Sequence, residues 1–309
     1  VEVSNDQLAR TWEGWTPEKI FQKTGIRKRH IAAEAECSSD LAFQAAEKLF
    51  LKEDRSKVNF LLFCTQTPDY LLPTSACLLQ KRLGISTSCG ALDFNLGCSG
   101  YIYGLALAQS MIQAGLARHV LLLTGENYSR HIHPQDKGSR TIFGDGASAT
   151  LLTVDSKQRL DSFVFGTDGS GADQLIIRTG GARSKRTLQS TEAKYDDFSN
   201  LRCDDRLYMN GQKIFHFTLS VVPDLVREML GVAHLKLEDI DHFVFHQANA
   251  FMLESLRKKI GIPEEKFVLY LENCGNTVSS TIPIALEFCL QTERIKAGER
   301  VLLAGFGVG

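Results

Sequence analysis

Short β-rich runs alternate with longer stretches of helical periodicity, and this alternation constrains the fold of the chain more than any other feature. Val58 to Cys64, Ala91 to Asn95 and His119 to Thr124 are strand-length runs, separated by helical patterns at Thr74 to Leu83 and Gly100 to Gln113. The rhythm returns after residue 240. Asp241 to His246 reads as a strand, Ala250 to Ile260 as a helix, Phe267 to Leu271 as a strand, Ser279 to Leu290 as a helix and Arg300 to Ala304 as a last strand. Strands alternating with helices of this length predict an α/β chain with a largely parallel sheet.

The two stretches also resemble each other. Phe60-Leu-Leu-Phe-Cys-Thr-Gln66 parallels His242-Phe-Val-Phe-His-Gln247, and Ala91 to Cys98 parallels Val268 to Asn276. Gly115 to Leu123 likewise parallels Gly298 to Leu303, a self-similarity that points to an internal duplication. The 309 residues suit one large domain or two of about 150. We place the division at 1–157 and 158–309, with Asp155–Gln158 as the linker, and expect residues 178–205, rich in Arg, Lys, Asp and Ser, to form a long surface excursion.

Thirty-five Lys and Arg against 36 Asp and Glu leave a formal charge of -1, which argues against a general nucleic-acid binder. Eight cysteines are present, with no C-x-x-C pair to suggest a zinc knuckle or redox motif. Several sit in apolar runs, and mostly reduced thiols are expected in a chain with no visible secretory signal. No run approaches the ~20 apolar residues of a membrane span, so a cytoplasmic address is expected. The chain begins at Val1 and stops at Gly309 directly after a strand-like run, so both natural ends are expected to lie beyond it.

Ligands of open α/β sheets bind at the carboxyl ends of strands, where Cys98, His246 and Asn276 fall in this reading. Cys98, in Asn95-Leu-Gly-Cys-Ser-Gly100, stands where a strand hands over to a helix. Backbone N–H groups at a helix start are expected to lower its thiol pKa. Each residue also has a plainer reading: a buried structural cysteine, a satisfied histidine, a turn asparagine. Together they supply a nucleophile with two hydrogen-bonding groups. His131-x-His133 lacks a third ligand and reads as solvent-exposed loop histidines. Gly305-x-Gly307-x-Gly309 lacks dinucleotide-loop spacing, Asp145 reads as part of a structural turn, and Gly166–Gly171 with Asp168 reads as a loop.

Over nearly its whole length the chain resembles the β-ketoacyl-(acyl carrier protein) synthase III group of thiolase-like condensing enzymes. The likeness lies in Thr24-Gly-Ile-Arg-Lys-Arg-His-Ile-Ala32, the segment around Cys98, Ile142-Phe-Gly-Asp-Gly-Ala147 and Met209-Asn-Gly211 with Ile214-Phe215. It continues in His246-Gln-Ala-Asn249, Gly275-Asn-Thr277 and Gly305-Phe-Gly-Val-Gly309. The resemblance implies a thiolase-like fold of two similar β/α halves in layered αβαβα order, the first carrying the nucleophilic cysteine and the second the histidine and asparagine. It implies that Cys98 takes an acyl group from a thioester, with the N–H groups of Cys98 and Val308 binding the oxyanion. His246 and Asn276 would bind the thioester carbonyl of a malonyl-carrier protein while carbon dioxide leaves, and Phe306 would pack beside the three.

The resemblance further implies an acyl-carrier-protein partner and a homodimer, with Leu72 closing the acyl pocket of the other subunit. Lys213, Arg257, Lys258 and Lys259 would form a basic dock. Neither a metal nor another cofactor is implied, since the coenzyme A or phosphopantetheine thioesters are substrates. The chain departs from the family where coenzyme A is gripped: Lys19, Lys23, Lys137 and Phe251 stand where coenzyme A-primed members hold a Trp and several Arg. A carrier-bound or specialised donor is therefore also expected. Acyl transfer to oxygen or nitrogen, a cysteine hydrolase and a non-catalytic carrier-binding subunit are the alternatives.

Overall fold

A computed structural model describes residues 1–154 and 160–308; the Asp155–Gln158 linker, the 157/158 division and Gly309 lie outside the described residues. The elements that build the two main sheets and their covering helices are, in chain order, α1 (Pro17–Thr24), α2 (Ser38–Leu49), β1 (Phe60–Cys64), α3 (Ser75–Arg82), β2 (Gly90–Phe94), α4 (Gly100–Gln113), β3 (His119–Glu126), β4 (Gly146–Thr153), α5 (Gly211–Val232), β5 (His242–Phe245), α6 (Ala250–Ile260), β6 (Phe267–Val268), α7 (Thr281–Gln291) and β7 (Val301–Ala304). In the first sheet β1 runs parallel to β2 on one side and β3 on the other, and β4 closes the edge antiparallel to β3. In the second, β5 runs parallel to β6 and β7. The segments that look alike in sequence thus occupy matching places: β1 with β5, β2 with β6, β3 with β7.

The apolar strands are apolar because both faces are covered. Leu61 and Phe63 of β1 turn toward Ala42, Ala46 and Leu79 of α2 and α3. Leu62, facing the opposite way, joins Leu105 of α4 and Ile282 and Ala285 of α7. Val244 of β5 enters that same central cluster, whereas Phe243 and Phe245 point outward to Val222 of α5 and Leu256 of α6. The layers are therefore α2/α3, first sheet, α4/α7, second sheet, α5/α6, the αβαβα order expected. Each fully buried Leu or Phe contributes about 1.5–3 kcal/mol. Because α4 lies between two sheets, it is apolar on nearly every side, which explains why its sequence shows little polar face.

Two elements differ from expectation. The strand expected over Phe267–Leu271 stops at Val268 because the buried Gln247 side chain takes over the pairing: Nε2 donates to the Val268 carbonyl at 3.2 Å and Oε1 accepts from the Tyr270 N–H at 2.7 Å. The helix expected from Ser279 begins at Thr281, after a single tight turn at Val278–Ser280 in which Val278 has φ +56°. Residues 178–205 form the expected excursion, with a small hairpin pairing Lys194–Tyr195 with Leu201–Arg202. It is anchored by Arg202, whose Nε donates to the buried Asp136 at 3.1 Å. No helix among the described residues is long and apolar enough to cross a membrane.

Candidate active site

β2 leads to Cys98, which directly precedes α4. Its side chain is 6% exposed and packs with Tyr128, Phe143, Leu207 and Val278. The backbone N–H groups of Val308 and of Cys98 itself favour its ionised form, but burial prevails and pushes the thiol up to about 12. The lowered pKa expected from the helix start is thus overturned: the partial charge of a helix terminus is smaller than the cost of stripping water from sulfur. Gly307, at φ +138°, lies directly over the sulfur; a Cβ there would come within 2.9 Å of Sγ and 2.8 Å of Cys98 Cβ.

His246 and Asn276 come from the second half. His246 follows β5, and Asn276 is fixed through its backbone: its N–H donates to the Ile142 carbonyl at 2.9 Å and its carbonyl accepts from Gly144 at 3.0 Å. The Ile142–Gly146 turn therefore holds a second-half residue, and Asp145 holds the turn by accepting from the N–H groups of Ala32 and Ser129 and from Ser129 Oγ. Asn276 Oδ1 accepts from the Val278 N–H, which leaves Nδ2 facing His246 Nε2 at 3.5 Å. His246 Nδ1 lies 2.7 Å from Thr281 Oγ1. The same hydroxyl lies 3.1 Å from the Val278 carbonyl: donating there, it accepts from Nδ1–H, and turned to donate to Nδ1 it leaves the ring proton on Nε2, the nitrogen facing Asn276. Burial pushes the imidazole down to about 3, so the ring is neutral at working pH. Phe306 packs edge-on against it, centroids 5.6 Å apart, and the next residue, Gly307, touches Cys98. The three residues from strand ends thus meet in one buried corner, all uncharged.

Sequence reasoning missed the polar residues behind this corner. Glu126, the last residue of β3, is fully buried, accepts from the Gln66 N–H, Thr67 Oγ1 and Ser279 Oγ, and is pushed up to about 8 by burial. Gln66 Oε1 accepts from Tyr128 OH at 2.7 Å. A lone acid ending an otherwise apolar strand was the available signal.

The outer residues are spread more widely. Leu72 is 82% exposed, in the apolar loop Tyr70-Leu71-Leu72. Lys213, Lys258 and Lys259 are exposed, but Arg257 is not a free cation: its side chain is 14% exposed, donates to both Glu254 oxygens and to the Ile262 carbonyl, and Lys258 shares the same carboxylate at 3.1 Å. Lys19 and Lys23 both lie over the Trp15 ring, at 5.2 and 5.1 Å, so an indole absent from the matched positions is supplied four residues earlier. Trp15, Lys23, Lys137, Thr141 and Phe198 line a cavity of about 380 Å³. Phe251 is exposed and stacks on Phe215. His131 and His133 are half-buried rather than solvent-exposed, and burial lowers the pKa of both. Asp168 caps a short turn at Gly169–Gln174.

Comparison with known proteins agrees with this architecture. The family model for 3-oxoacyl-[acyl-carrier-protein (ACP)] synthase III matches residues 92–169 and that for its C-terminal part matches residues 230–309. A beta-ketoacyl-[acyl-carrier-protein] synthase III of Clostridium perfringens is 34% identical, covering 99% of this chain and 92% of the relative. The synthase III 2 of Halalkalibacterium halodurans is 35% identical over 99% of this chain and 89% of its own length. A crystal structure of a 3-oxoacyl-(acyl-carrier-protein) synthase III superposes with a TM-score of 0.98 at 50% identity, covering 99% of this chain and 92% of that one. An αβαβα fold with Cys98, His246 and Asn276 gathered in one corner, and relatives matching along nearly the full length, place the chain in the 3-oxoacyl-[acyl-carrier-protein] synthase III family.

Proposed function

We propose that this protein catalyses a decarboxylating Claisen condensation between an acyl group held on Cys98 and a malonyl-carrier-protein thioester. The observation that carries the reading is a neutral imidazole and an amide 3.5 Å apart, joined through adjacent residues to a buried thiol near the N–H groups of Cys98 and Val308: Phe306 packs on His246 and Gly307 lies against Cys98. Cys98 sulfur attacks the thioester carbonyl; the C–S bond to the incoming carrier breaks and that thiol leaves with the proton. The two N–H groups hold the oxyanion between. A malonyl thioester then enters. Its carboxylate leaves as carbon dioxide, the electron pair of the broken C–C bond becomes an enolate, and N–H donors of His246, in its Nε2–H tautomer, and Asn276 stabilise the enolate oxygen. The enolate carbon attacks acyl-Cys98, and the sulfur departs as thiolate. Neutral donors suit a developing anion, and no cofactor enters these steps.

Four further assignments follow from the same reading. The exposed Tyr70-Leu71-Leu72 loop is the segment by which a homodimer partner would receive Leu72. Lys258 and Lys259, with Lys213, form the dock for an acidic carrier protein, and Arg257 braces their helix. The Trp15 cavity, rimmed by Lys23 and Lys137, suits the phosphate-bearing arm of coenzyme A or of a carrier. The eight free thiols fit a reducing, cytoplasmic setting. Incubation with acyl- and malonyl-carrier protein followed by mass spectrometry tests the reaction: we expect an acyl adduct on Cys98, absent in Cys98→Ala, and a product two carbons longer. Loss of the acyl group without chain growth would replace condensation by hydrolysis.

A further inference from the structure

Glu126 is the buried acid that the proposed steps leave unused. Both of its carboxyl oxygens lie 3.1 Å from the Gln66 N–H, Thr67 Oγ1 donates to Oε2 at 3.2 Å, and Ser279 Oγ donates to Oε1 at 3.1 Å. Among the described residues no cationic side chain forms an ion pair with it. Its donors belong to the parts that surround the nucleophile turn. Gln66 Oε1 is so close to Gly97 that a Cβ on that glycine would meet it at 2.5 Å, and Ser279 Cβ would be 3.7 Å from a Cβ on Gly100. The two glycines bracketing Cys98 therefore rest on two residues that one carboxyl group holds.

The titratable groups facing Glu126 are Cys64 at the end of β1, Cys98 before α4, Tyr128 after β3 and Asp145 before β4. Every one is an acid. We propose that Glu126 is a positioning residue for Cys98 and works in its protonated form, clamping Gln66 and Ser279 around the nucleophile turn without placing a negative charge beside the sulfur. A carboxylate there would oppose formation of the Cys98 thiolate, because like charges in a buried site disfavour each other's ionisation. Burial keeps the acid neutral until about pH 8. The hydroxyls of Thr67 and Ser279 accept as readily as they donate, so the carboxyl proton has a partner.

This inference rests on Cys98 being the nucleophile but not on the condensation itself, so its test uses iodoacetamide rather than turnover. Alkylation of Cys98, followed by peptide mass spectrometry across pH 6–11, is measured for the wild type, Glu126→Gln and Ser279→Ala, with circular dichroism to verify folding. Glutamine keeps the length of the side chain and removes its charge. The apparent pKa of Cys98 is expected to fall by about half a unit or more, roughly threefold faster alkylation at pH 9. Ser279→Ala removes a donor to the carboxylate, keeps Glu126 protonated to higher pH, and should also speed alkylation near pH 9; a purely structural role predicts slower or unchanged alkylation. Profiles that superimpose on the wild type in either folded variant overturn the proposal. The expected shift in a protein that fails to condense would reject the reaction and keep the clamp.

Discussion

The first-half corner, with Cys98 after β2 and Glu126 at the end of β3, and the second-half corner, with His246 after β5 and Asn276 after β6, both lie at the carboxyl ends of strands in two sheets whose three parallel strands share one order, yet burial acts on them in opposite directions. In the first, both ionisable groups are acids and both are raised, the thiol to about 12 and the carboxyl to about 8. In the second, the ionisable group is a base and is lowered to about 3. One physical cause, loss of water around a charge, leaves every group neutral. In the proposed reaction, the duplicated frame supplies one corner that must become anionic to act and one that acts while neutral: the thiolate would be needed only while an acyl thioester is present, whereas the imidazole and amide would serve as uncharged donors throughout.

The largest test of this contrast separates the two half-reactions. His246→Ala and Asn276→Ala should each lower condensation by about 10²- to 10³-fold, the usual cost of one donor to a developing oxyanion, while acyl transfer to Cys98 persists. If acylation falls as far as condensation, the corners do not divide the work. A smaller effect concerns stability. His246 takes up a proton near pH 6.5 when unfolded but only near pH 3 when folded, so its contribution is intact above pH 6.5 and lost as pH falls toward 3. Glu126 has the opposite sign: its contribution is intact below pH 4.5 and lost as pH rises through 8. Thermal scans across pH should therefore show a flatter loss of stability from pH 6.5 down to 3 in His246→Gln and a flatter loss from pH 4.5 up to 8 in Glu126→Gln, by a few degrees at most; flattening in the same direction in both would refute the opposition. The smallest effect lies at the surface. Lys258→Glu with Lys259→Glu should raise KM for a carrier protein several-fold in low salt and little in high salt, whereas Arg257→Ala should chiefly loosen α6 by freeing Glu254. A salt-independent KM would remove the dock.

Much of the frame was legible in the sequence because strands buried on both faces must be continuous apolar runs. Phe60-Leu-Leu-Phe-Cys64 and His119-Val-Leu-Leu-Leu123 could hardly be anything else, and the resemblance between halves became the shared strand order. Cys98, His246 and Asn276 were legible because strand ends are where a parallel sheet exposes chemistry. Trp15 was not, since a helix turn rather than a matched position brings it over Lys19 and Lys23. For Arg257 the sequence shows a basic run on a helix, and the structure adds that Glu254, one turn away, holds its guanidinium.

The sequence by itself determined the alternation of elements, the duplicated pattern, the family resemblance and the identities of the three residues gathered at the site. Only the tertiary structure decided their charge states. The direction of the Cys98 pKa depends on how much water the surrounding layers remove, and those layers include Gly307 and Val308, some 200 residues away in the chain. The burial of Glu126 likewise involves distant residues, among them Ser279, 153 positions on, whose hydroxyl donates to its carboxyl group. Local pattern fixes which face a side chain takes; burial of a charge is a sum over everything packed around it, and that sum exists only in the folded chain.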